Sequence, residues 1–190
     1  MTLAPKVLHL IKMSYTICID IGYRFTGVVV YSDTKKRIIH TDCIRIKPLT
    51  RLSKAQQHFD ECQNLAWELE KLFHDHPDCS VIVESPSGGG KSSIAVKSMA
   101  SAISVLASVC SLLDIKTTLV TPLQIKRLVK AKGAVSKEEV QGLVEHSLSP
   151  IGFKYPNTYN WCKEHVADAG AVLIVASNEG LLNETLKLNK

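Results

Sequence analysis

No C-x-x-C pair occurs among the six cysteines of this 190-residue chain, Cys18, Cys43, Cys62, Cys79, Cys110 and Cys162. Their spacing therefore marks no disulfide framework and no paired-thiol site. Cys18, Cys79 and Cys110 lie inside apolar segments, where a free thiol behaves as a small hydrophobe, and the expected compartment is intracellular and reducing. Internal repeats and low-complexity tracts are also missing, which removes repeat architectures from consideration. The start of the chain, MTLAPKVLHLIKM, sets Lys6 and Lys12 around an apolar run too short for a membrane span or a signal-peptide core. Residues 1–13 read as an appendage, with Met13 as an alternative start, and residues 14–190 as one domain. A hydrophobic share of 45% with 22% charged residues gives no sign of disorder. A chain of this length buries about 70% of its unfolded surface around one core.

One stretch lacks acids altogether. Between residues 115 and 137 there are six Lys or Arg and no Asp or Glu. A local positive field of this kind suits a polyanion, although composition alone prefers a plain solvated face.

The pattern of elements is mixed. YTICIDIG and FTGVVVYS, joined by a bend at Tyr23-Arg24, read as a strand hairpin, with a third strand in RIIHTDCIRIK. From Ser53, a suitable N-cap, to about His74, apolar residues recur every three or four positions, as on one face of a helix. CSVIVE is a short buried strand. The segment 94–113 is a helix so apolar that it must be covered on several sides, part of it by a second copy. IKTTLVT is a strand, Pro122 opens the helix LQIKRLVKA and Gly133 stops it. Ser136 with Glu139 has the capping-box spacing. The segment 150–161, holding Phe153, Tyr155, Tyr159 and Trp161, reads as a long irregular loop, and EHVADAGAVLIVASNEG as the last helix. Three strands followed by alternating helices and strands predict an α/β fold: a mixed five-stranded sheet with helices on both faces.

The stretch VIVESPSGGGKSSIA is close to a phosphate-binding loop. However, Ser85 stands where that motif needs its first glycine, and Pro86 has no N–H to offer a phosphate. The glutamate in front of it is more telling. Asp20 ends the first strand, Glu84 ends the fourth, and His165 and Asp168 sit one turn apart on the last helix. Acids at the ends of apolar strands are costly to bury unless they are paired or bound to metal. If the first and fourth strands are neighbours, these carboxylates meet at the sheet edge where α/β folds bind ligands. Three carboxylates and an imidazole suit Mg²⁺, with Mn²⁺ tolerated. Two such ions activate water and stabilise the leaving oxygen of a phosphodiester.

IDIGYRFTG, with Asp20, Gly22, Thr26 and Gly27, resembles the first motif of the RuvC family of Holliday junction resolvases. VIVE with Glu84 resembles the second, TPLQIKRLVKAKGAVSKEEVQ the basic segment, with Lys126 and Lys137 at the family's lysine positions, and HVADAGAVLIVA the final acidic helix. The resemblance covers residues 14 to about 177. It implies an RNase H-like fold, a homodimer, and metal-dependent paired nicking of four-way DNA junctions, with relaxed members cutting other branched DNA. Asp20, Glu84, His165 and Asp168 would be the catalytic, metal-binding set for two ions, without a small-molecule cofactor and away from any membrane. Two stretches depart from the family pattern: SPSGGGKSS after Glu84, and the aromatic segment 150–161. Lys91, Lys126, Arg127, Lys130, Lys132 and Lys137 would then contact phosphates, and Tyr155 and Tyr159 unpaired bases, unless the aromatics simply anchor their loop on the core. Two other readings remain. D-x-G-x-x-x-T-G also occurs in actin-like ATPases and sugar kinases, which need two such domains, and a non-catalytic branched-DNA-binding module would retain the same scaffold.

Overall fold

The computed structural model describes residues 14–85, 92–128, 136–156 and 160–182. Residues 1–13, most of the SPSGGGKSS segment with Lys91, the stretch holding Lys130, Lys132 and Gly133, and Tyr159 lie outside them. The described chain runs β1 (Tyr15–Asp20), β2 (Phe25–Ser32), β3 (Arg37–Arg45), α1 (Lys54–Asp75), β4 (Cys79–Glu84), α2 (Ser93–Leu112), β5 (Thr117–Val120), α3 (Pro122–Leu128), α4 (Lys137–Leu148), a single 3-10 turn (Ser149–Ile151) and α5 (Asn160–Asn178).

The strands form one sheet in the order β3-β2-β1-β4-β5. β1, β2 and β3 pair antiparallel, whereas β1, β4 and β5 pair parallel. Parallel pairing of β1 with β4 requires a crossover, so their carboxyl ends reach the same edge. Alternation along β1 divides the core. Ile17 and Ile19 face a cluster with Leu65, Leu69 and Phe73 of α1 and Leu106 of α2, while Cys18 faces α4 and α5 with Val29, Ile82, Val144 and Val172. The five-stranded mixed sheet with helices on both faces is therefore present as the sequence predicts.

Local signals set the helix starts. The Ser53 hydroxyl accepts from the Gln56 N–H at 3.3 Å, and Ser92 caps α2 through Ala95 at 3.2 Å. Ser136 and Glu139 form both bonds of a capping box, at 3.2 and 2.7 Å. Such caps satisfy N–H groups that a helix start leaves open.

Two expectations change. The stretch 150–161 is not one long loop. It begins in the 3-10 turn, sends Phe153 into the core at 4% exposure, and ends inside α5, which starts at Asn160 and carries Trp161. Phe153 fits there because Gly170 of α5 has no side chain. A Cβ at 170 would stand 2.6 Å from Val144 and 3.4 Å from Phe153, so the glycine lets α4, α5 and the ring close together. The second change concerns α2, which is covered on one side only. Ala102, Leu106, Val109 and Cys110 are buried, but Ile94 is 75%, Val96 51% and Leu112 85% exposed. By length and composition alone α2 would suffice to cross a membrane, yet it packs here as the crossover between two strands of one sheet.

Candidate active site

The turn after β1 is built around two glycines and a threonine. The hydroxyl of Thr26, a buried residue, donates to the Gly22 carbonyl at 2.9 Å and accepts from the Gly22 N–H at 3.4 Å. A Cβ on Gly22 would stand 2.1 Å from the Phe25 carbonyl oxygen, so the turn closes only with glycine there. Gly27 lies opposite Asp20 across the β1–β2 ladder. A Cβ on it would stand 1.9 Å from the His165 carbonyl oxygen, so the missing side chain is what lets the backbone of α5 rest on β2.

That seat brings His165 to Asp20, with Nδ1 2.8 Å from Oδ2. The imidazole also stacks on Phe25, with ring centroids 5.8 Å apart at 24°. Phe25 in turn packs on Trp161, at 4.4 Å, and the Arg45 guanidinium lies 5.2 Å from the Trp161 ring centre. Arg24 grips buried Glu61 of α1 through Nε and Nη2, at 3.0 and 2.9 Å. This holds the turn that follows Asp20 against the first helix.

Glu84 ends β4 beside β1, opposite Val120 of β5. Burial, then Asp20 and Asp168, push its carboxyl up to about 7. Asp168 is likewise pushed up to about 7 by burial, then by Asp20 and Glu164, with His165 and Lys137 opposing the rise. The hydrogen bond to Asp20 raises His165 above the usual imidazole value, against burial. Three acids thus share a half-buried space in which they cannot all ionise freely.

The four expected ligands do not all touch one another. Among the described residues no three His, Cys, Asp or Glu side chains stand close enough to close around one ion. Asp20 and His165 are in contact, whereas Glu84 and Asp168 sense them by charge. Asp20 already spends one oxygen on His165. The donor set nevertheless suits a hard divalent ion: three carboxylates and a neutral-capable imidazole, two of the acids raised by crowding that a cation would relieve.

Of the predicted DNA contacts, Lys137 opens α4 and pairs with Glu164, the residue before His165, which sets it beside the acids. Lys126 and Arg127 are exposed on α3, immediately after β5. Gln124 ties α3 to Glu179 beyond the end of α5 at 2.6 Å. Tyr155 is half-buried, edge-on to Phe153 at 5.0 Å, with burial pushing its hydroxyl up to about 12. That position fits the core-anchoring alternative. Lys91, Lys130, Lys132 and Tyr159 lie outside the described residues. Sequence reading missed the Phe25–Trp161–Arg45 ladder; its only signal was a bulky aromatic inside the glycine motif.

No protein-family model matches the sequence, and no curated protein matches it. Among solved structures, Thermus thermophilus RuvC in complex with a Holliday junction substrate superposes with a TM-score of 0.67 at 18% identity, covering 93% of this chain and 99% of that one. A second Thermus thermophilus RuvC structure gives 0.61 at 19%, covering 92% and 99%. The chain therefore has the RuvC fold, with its RNase H-like mixed sheet.

Proposed function

We propose that this chain is a structure-selective endodeoxyribonuclease that resolves four-way DNA junctions, and cuts other branched DNA, by metal-dependent phosphodiester hydrolysis. The observation that carries this reading is the convergence of Asp20, Glu84 and Asp168 at one sheet edge, with His165 2.8 Å from Asp20, on a fold shared with RuvC. Two Mg²⁺ ions, or Mn²⁺, would supply an activated water and charge stabilisation at the leaving oxygen. Asp20, Glu84 and Asp168 would hold them. With Nδ1 donating to Asp20, the His165 imidazole keeps Nε2 as an acceptor for metal or water. Lys126, Arg127 and Lys137, with Lys91, Lys130 and Lys132, would contact phosphates and position the junction without reading sequence.

Paired nicks need two such sites, so the functional unit is a homodimer. Its contact is the exposed apolar side of α2 with Phe59 and Trp67 of α1, which are 57% and 67% exposed. The six cysteines are free, in keeping with work in the reducing compartment that holds the DNA.

The test is cleavage of a synthetic four-way junction by the purified full chain in Mg²⁺ or Mn²⁺. Asp20→Asn should lower cutting by more than about 100-fold, beyond the loss typical of an outer-shell partner, while junction binding persists. Robust cutting by that variant removes Asp20 from the chemistry. The unclosed cage favours one other reading, a branched-DNA-binding module without catalysis. Binding without cleavage across both metals and a range of pH would be its signature.

A further inference from the structure

The open edge of the sheet carries a second group of cations that the acid-free segment 115–137 does not include. β3 is an edge strand. Lys35, Arg37, His40 and Lys154 line a cleft of about 450 Å³ between it and the chain around Gly152, with Ile38, Ile39 and Thr41 as the remaining wall. The size is within the usual range for a small-ligand site, and the lining holds no acid.

The cleft is built by the backbone. The Thr41 hydroxyl donates to the Lys154 carbonyl at 2.5 Å, tying residue 154 alongside the strand. Gly152 has φ 97°, and a Cβ there would meet the Ile38 carbonyl oxygen at 3.0 Å and Arg37 Nη2 at 3.5 Å. Only glycine lets this turn sit so near the guanidinium. Lys35, Arg37 and Lys154 are exposed. The nearby acids are turned elsewhere. Asp33 is buried and accepts from Thr16 at 3.2 Å, while Asp42, Glu68 and Asp75 line, with Lys71, an adjoining cleft on the far side of His40, which borders both.

We propose that the Lys35–Arg37–Lys154 cleft seats a backbone phosphate of a DNA arm leaving the acidic site. Charge complementarity selects this occupant, since three exposed cations in a lining that holds no acid fit a polyanion. Position supports it too. Arg45, at the other end of β3, lies on Trp161 next to His165. At a strand rise of about 3.4 Å per residue, Arg37 is roughly 25 Å further along the edge. A duplex arm laid on that line reaches the cleft after about seven base steps.

This inference rests on the branched-DNA reading, and its test separates the two. Binding is measured without metal, in EDTA, at several salt concentrations. The probes are four-way junctions with arms of about 20 or about 5 base pairs, lengths set on either side of the seven-step reach. Lys35→Gln/Lys154→Gln is compared with Lys54→Glu, the same change in net charge at an exposed residue that opens α1 and belongs to neither group of cations. The double variant should bind the long-armed junction about tenfold more weakly, with a salt slope shallower by about 2. It should bind the short-armed one like wild type, and Lys54→Glu should leave both unchanged. Unaltered long-arm binding by the double variant, or an equal loss on short arms or in Lys54→Glu, overturns the proposal while leaving the nuclease reading intact. Failure of the wild-type chain to bind either junction sinks both.

Discussion

A methyl group at position 27 would lie 1.9 Å from the His165 carbonyl oxygen and 2.9 Å from the Val166 nitrogen. Both are backbone atoms, so neither can swing aside and α5 would have to lift off β2. Gly27→Ala should therefore cost about 3 kcal/mol or more in urea unfolding, and residual folded protein should lose junction cleavage. A variant of unchanged stability would mean that α5 is not seated there. Glu84 offers the opposite case. Its folded value of about 7, against an ordinary 4.5, means that the folded state holds the extra proton between those limits. Stability therefore falls as pH rises from about 4.5 to 7, and the loss is complete above 7. Glu84→Gln removes that cost. In EDTA at pH 8 the variant should be more stable than wild type by about 1–3 kcal/mol, given about 1.4 kcal/mol per pKa unit and a shared titration with Asp168. At pH 4 the gain should vanish. No gain at pH 8 would show that the carboxyl is not destabilised by its neighbours.

At the scale of elements, what the sequence declared and what it hid divide by range. Caps are local, and Ser53 and Ser136 were readable because the bonding partners sit three residues on. Ser136→Ala should cost about 1 kcal/mol and weaken junction binding modestly by loosening Lys137; thermal unfolding and a binding titration check both. The placement of Asp20 and Glu84 on neighbouring strand ends was readable as well, because acids ending apolar strands demand a common explanation. The start of α5 was not. Pro, Gly and Asn between 150 and 160 read as loop, whereas Phe153 is held by a hole at Gly170, a contact between residues far apart in the chain. The cations of the edge cleft were hidden for a related reason. Lys35 and Arg37 stand at the start of β3 and Lys154 far along the chain, and only the bond from Thr41 to the Lys154 carbonyl collects them. The exposed side of α2 raises the last question at this scale. A helix with Val96 51% and Met99 37% exposed is an unusually apolar surface for a lone domain. Val96→Glu/Met99→Glu should shift the protein from dimer to monomer in analytical ultracentrifugation and leave far-UV circular dichroism unchanged. A wild-type chain that is monomeric at micromolar concentration would remove this face as the contact.

Across the whole molecule, the proposed metal would compete with protons for one set of groups, and folding stability would report which has won. Glu84 and Asp168 release their protons only near pH 7. His165, raised above its usual range by Asp20, sheds its proton later than a free imidazole. A divalent ion needs the carboxylates ionised and the imidazole neutral, so its affinity must climb as pH passes through about 7, the opposite of the metal-free trend at Glu84 and Asp168. Any ion that binds only the folded chain stabilises it by RT ln(1 + [L]/Kd), about 2.7 kcal/mol at a hundredfold excess over Kd. For a domain of this size that corresponds to a rise in Tm of about 5–10 °C. At pH 8, Mn²⁺ should produce such a rise, and at pH 5.5 almost none. Asp20→Asn should abolish it at both, because that residue holds His165 as well as facing the other two acids. This readout involves no DNA and no catalysis, so it tests the site apart from the substrate. A Tm shift as large at pH 5.5 as at pH 8, or one that survives Asp20→Asn, would place the metal elsewhere on the molecule.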